Sequence, residues 1–103
     1  MCKKEALNSG IGVIRTLLLN SKPFSVLFDL GARHSFISTR AALLLNLDGN
    51  KQEANYRISL PNGHVTKCST LYRDVPIMIK AKRFPGDLIQ FDLSEFDVIL
   101  GMN

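Results

Sequence analysis

Apolar residues in this chain come in short runs separated by turn-forming residues, so the recurring unit has the length of a strand. Val13, Ile14, Leu17, Leu18 and Leu19 lie within Gly12–Leu19 and predict a strand or hairpin arm. Asn20, Ser21, Lys22 and Pro23 then carry turn chemistry, and Phe24–Phe28 forms the returning arm, ending at Asp29. A short extended piece follows over Arg33–Ser38. The spacing of Ile37, Ala41 and Leu44 or Leu45 predicts the chain's one small helix, capped by Ser38 or Thr39. Asp48–Lys51 reads as a loop.

Beyond that loop the period returns to two. Tyr56, Ile58 and Leu60 fall on one face of a strand, and Val65–Leu71 is the returning strand of a hairpin. Between them, Asn62-Gly63 is a strong short-range turn signal. Val75, Ile77 and Ile79 share a face of the next strand, with Pro76 marking an edge or a strand start. Lys80–Gly86 reads as a basic turn. Leu88–Leu93 alternates again, and Phe96–Asn103 is a last buried strand that runs into Gly101. Short strands at close intervals with one helix predict a mostly β, barrel-like domain.

Composition narrows the class. At 103 residues the chain fits one domain, and 46% hydrophobic content supports a folded core. Residues 1–11 read as a polar lead-in and 12–103 as the domain. Thirteen Lys and Arg against nine Asp and Glu give a net charge of +4, too scattered to require a nucleic-acid partner. A small basic barrel that binds RNA or single-stranded DNA would interleave aromatics on a basic face. Here aromatics make up 8% and sit mostly at core-type positions, while Lys80, Lys82 and Arg83 fit a solvated turn. Cys2 and Cys68 are far apart, with only His34 and His64 to add soft ligands, so neither metal nor cofactor is expected. No signal-peptide pattern opens the chain and no leucine run is long enough to span a bilayer, which predicts a soluble, cytoplasmic protein.

Candidate chemistry concentrates in Val26–Ser38. An apolar run drives into Asp29, and Gly31 two residues on lets the backbone turn. A carboxylate at the mouth of a buried strand is costly unless hydrogen-bonded or working. The residues alone leave two roles open: an acid that bonds its own turn, and an acid held for catalysis. Ser35 beside His34 makes no dyad by adjacency, so His34 reads as structural or surface.

Three stretches together, VLFDLGARHSFIS (Val26–Ser38), ISLPNG (Ile58–Gly63) and FDVILGMN (Phe96–Asn103), resemble the retropepsins, specifically the aspartic proteases of gypsy-type LTR retrotransposons. The resemblance covers the chain from about Gly12 onward. It implies a mostly β, retropepsin-like closed β-barrel with one short helix, one protomer of a homodimer. It further implies an endopeptidase that processes the element's polyprotein, in the cytoplasm, virus-like particles included. Asp29 would be catalytic, meeting its twin across the dimer axis, with Leu30, Gly31 and Ala32 as the active-site loop. Arg33 would touch the substrate from the cleft floor, although a solvated arginine fits equally. Leu60, Pro61, Asn62, Gly63 and His64 would tip a flap over an extended peptide. Ile99, Leu100 and Gly101 would form the strand that supports the loop.

Two departures carry expectations of their own. In the family a helix follows Gly101 and the termini supply much of the dimer sheet; with the sequence ending at Asn103, a weaker or differently built dimer is expected. The family also has Ser or Thr where Leu30 stands, and that hydroxyl bonds across the axis. Losing a buried partner costs roughly 1–3 kcal/mol, and the larger leucine could crowd the loop. The alternative function is therefore a weak or inactive retropepsin-like domain acting in binding or assembly, against an enzyme in which Leu30 packs apolarly and Asp29 still works.

Overall fold

The computed structural model describes residues 3–6, 12–59, 63–79, 82–84, 86–92 and 95–102. In chain order these form β1 (Lys3–Ala6), β2 (Gly12–Leu19), β3 (Lys22–Asp29), β4 (Ser35–Ile37), α1 (Thr39–Leu44), a 3-10 turn (Asp48–Asn50), β5 (Lys51–Ser59), β6 (Val65–Tyr72), β7 (Ile77–Ile79), β8 (Lys82–Phe84), β9 (Leu88–Gln90) and β10 (Val98–Gly101).

The first hairpin turns on two residues instead of the expected four. Asn20 and Ser21 both take positive φ, 51° and 64°, the backbone twist that matches a tight hairpin. Leu19 faces Lys22 and Leu18 faces Pro23, so Lys22 and Pro23 belong to the strand. Proline is tolerated there because the next strand on its other side, β10, begins pairing only at Val26.

Eight strands form one sheet in the order β1-β5-β6-β9-β4-β10-β3-β2, and β7 and β8 pair separately. β10 slots between β3, to which it runs parallel, and β4, to which it runs antiparallel. Both faces of this centre are covered. Phe24, Val26, Ile37, Leu88, Val98 and Leu100 pack on one side with Ala41, Ala42 and Ile77. Leu27, Phe36, Ile89 and Ile99 pack on the other with Ile58, Cys68 and Leu71 of the β5–β6 hairpin. That two-sided burial is why these strands read as continuous apolar runs.

The closed barrel expected from the sequence does not form. The sheet is open, with β1 and β2 as its two edge strands. Cover comes from the folded-over β5–β6 hairpin and from α1, so the centre is buried without closure. Other expectations shift locally. Lys3–Ala6, read as lead-in, is a strand parallel to β5. Lys82–Phe84, read as turn, pairs with β7. β5 begins at Lys51, earlier than expected, with a register shift between Glu53 and Tyr56. α1 starts at the predicted cap: the Ser38 hydroxyl accepts from the Ala41 amide at 3.1 Å. Among the described residues, no helix is long and apolar enough to cross a membrane.

Candidate active site

Asp29 is the last residue of β3 and is 0% exposed. Its Oδ1 accepts a hydrogen bond from the Gly31 amide at 2.9 Å, the turn contact open to any strand-end acid. Its Oδ2 is buried and, among the described residues, has no hydrogen-bond partner. The two oxygens thus differ: one holds the turn, and the other is left unpartnered among the described residues. A buried acceptor left this way costs about 1–3 kcal/mol, so it calls for an explanation.

The loop after Asp29 is fixed from below. To reach β4 the chain must pass over the end of β10, which lies between β3 and β4. Gly101, opposite Asp29 in the ladder, sits beneath that crossing. A Cβ at Gly101 would fall 2.6 Å from both the Ala32 and His34 carbonyl oxygens, so only glycine admits the loop. The Gly101 amide donates to Ser35 Oγ at 3.0 Å, and the Met102 amide to the Asp29 carbonyl at 2.9 Å. Ile99 and Leu100 are buried on opposite sides of the same strand. The expected support strand therefore lies against the candidate loop.

Ala32 is buried under the loop and Arg33 is exposed. The half-buried His34 packs its ring edge-on against Tyr56 of β5, with centroids 5.8 Å apart. This contact brings the β5–β6 hairpin against the loop that begins at Asp29. Gly63 takes φ of +89° and His64 is exposed, both in the connection between β5 and β6. Leu60, Pro61 and Asn62, expected at the same tip, lie outside the described residues. Leu30 is 59% exposed, so the crowding anticipated from its size does not arise among the described residues.

Two anchors gave no signal in the sequence. Ser35 reads as an ordinary small residue until the strand that meets it is known. Asp97 accepts from the Ser25 amide at 2.8 Å through Oδ2 and from Arg40 at 3.0 Å through Oδ1, tying β3 and α1 to the start of β10. Two clefts open away from Asp29. One, about 300 Å³, is lined by residues such as Leu19, Leu47 and Val75, and the other, about 250 Å³, by residues such as Thr66, Cys68 and Gln90. Among the described residues no group of three or more His, Cys, Asp and Glu is placed to hold a metal ion.

The site is thus a carboxylate that ends one strand, beside a glycine of a parallel strand over which its loop crosses. The family model described as retroviral aspartyl protease matches residues 1–103, and the chain belongs to that family. Among solved structures, the retroviral protease-like domain of Ddi1 from Leishmania major aligns with a TM-score of 0.57 at 15% identity. The alignment covers 93% of this chain and 72% of that one, a likeness of fold. No curated protein matches the sequence.

Proposed function

We propose that this chain is one half of a homodimeric aspartic endopeptidase, acting on the polyprotein of a gypsy-type LTR retrotransposon. The observation that carries the reading is the buried, unpartnered Oδ2 of Asp29. A second copy related by a two-fold axis would bring the twin carboxylate to that oxygen. Two carboxylates so close share one proton. The ionised member then draws a proton from a water held between them, and that water attacks the scissile carbonyl. The protonated member hydrogen-bonds the developing oxyanion, and a proton passes to the leaving nitrogen. The β5–β6 hairpin serves as the flap, pairing with an extended peptide as an added strand.

Leu30 supports a second reading, a retropepsin-like domain that binds without cleaving, because it offers no hydroxyl beside the carboxylate. A peptide-cleavage assay at mildly acidic pH, with dimerisation followed by sedimentation, separates the two. Cleavage that falls by about 10²–10⁴-fold in Asp29→Asn supports the enzyme. Equal cleavage in both proteins removes Asp29 from the reaction. A wild-type dimer that binds peptide and leaves it intact selects the binding domain.

A further inference from the structure

β5 has two edges. One is taken by β6, and the other by Lys3–Ala6, with Lys3 opposite Tyr56 and Ala6 opposite Ser59. The strand itself lies against the candidate site, since Tyr56 is the residue whose ring meets His34 in the loop after Asp29. An extended peptide held under a flap needs a strand edge with unpaired main-chain groups. On β5 that edge is already filled by the chain itself. Lys-Lys-Glu-Ala has no apolar pattern that would call for a strand, so main-chain pairing is the physical reason for β1.

We infer that Lys3–Ala6 occupies the strand position of the peptide substrate, so that the chain carries its own competing ligand; this rests on the reading of the site given above. The pairing polarity is compatible. A single peptide lying across a two-fold axis runs parallel to one β5 and antiparallel to the other, and β1 runs parallel. Only residues 7–11 separate β1 from β2, and so short a tether gives an effective concentration on the order of millimolar. A free peptide of equal strand affinity then competes only as its own concentration approaches that value. The ligand class is an extended polar peptide bearing lysine and glutamate, the chemistry of the segment itself.

The test measures binding in the full-length Asp29→Asn chain, where nothing is cleaved. The probe is a fluorescent peptide with the sequence of residues 3–9, KKEALNS. Glu5→Pro removes one main-chain donor from β1, and Glu5→Gly with Ala6→Gly weakens the strand without proline should the first variant misfold. Either change is expected to tighten probe binding by at least about tenfold, and to raise hydrogen exchange at β5 amides between Tyr56 and Ser59. Unchanged probe affinity overturns the inference, as does unchanged exchange. Lower thermal stability without a gain in probe binding also overturns it, because β1 is then only a cover for an edge. A domain that cleaves nothing can still show the gain, whereas an active enzyme with equal cleavage with and without Glu5→Pro sinks this inference alone.

Discussion

Leu30 turns on where its side chain goes. In a buried setting the missing hydroxyl would be a defect, yet the residue is 59% exposed next to a fully buried acid. Met102, whose amide bonds the Asp29 carbonyl, is exposed as well. Two residues tied to the carboxylate's backbone thus expose apolar side chains. Burying the exposed part of a leucine yields about 1–2 kcal/mol, and a symmetric pair contributes twice. In the homodimer proposed above, Leu30 would contribute through apolar contact instead of a hydrogen bond. If that dimer forms, Leu30→Asp places like charges across its axis and is expected to raise the dissociation constant by at least about tenfold. Because the side chain is exposed in the protomer, the unfolding midpoint should stay within a few degrees of wild type. Sedimentation and thermal unfolding on one preparation check both halves, and a dimer unchanged by the aspartate removes Leu30 from the interface.

Among the elements, β10 does the positioning, and it shows what sequence could and could not reveal. Its apolar run and its glycine were both legible, as were Asp29 at the end of β3 and the capped α1, because each leaves a local pattern. Its place between β3 and β4 was not, since a long-range parallel insertion leaves no periodicity in either partner. Ser35 and Asp97 were missed for the same reason, their partners being set by topology. β1 and β8 escaped notice because main-chain pairing can hold polar segments that no hydrophobic period marks. Gly101→Ala tests the inserted strand directly. A methyl group there meets two carbonyl oxygens at 2.6 Å, so the loop or the strand must move. A loss of about 1–3 kcal/mol in stability is expected, with cleavage falling further than stability alone explains. Denaturant unfolding and the cleavage assay check it together; an unaltered midpoint would mean that the crossing is looser than the described contacts require.

For the molecule as a whole, an open sheet stays dry only while its second layer is down. Cys68 reports on that layer: it lies on β6, buried with Leu27, Phe36 and Ile99 of the sheet beneath. Burial pushes its thiol above the ordinary range. Tyr72, at the end of the same strand, is pushed up first by burial and then by the charge of Asp48. The sign of the linkage follows. Where the unfolded thiol and phenol have lost their protons and the folded ones still hold theirs, the unfolded state binds fewer protons, so stability falls as pH rises. Stability is fully present below the ordinary thiol range and declines above it, first through Cys68 and then through Tyr72. In a Cys2→Ser background, unfolding midpoints should drop between about pH 7.5 and about pH 9.5, and Cys68→Ala should flatten the part of the slope nearest the thiol range. Iodoacetamide should modify native Cys68 at least about 100-fold more slowly than the unfolded chain, because burial disfavours the thiolate and shields the sulfur until the hairpin lifts. Labelling at the unfolded rate in native buffer would show that the β5–β6 layer is not closed over the sheet, and the edge on which the proposed peptide capture depends would then have no fixed place.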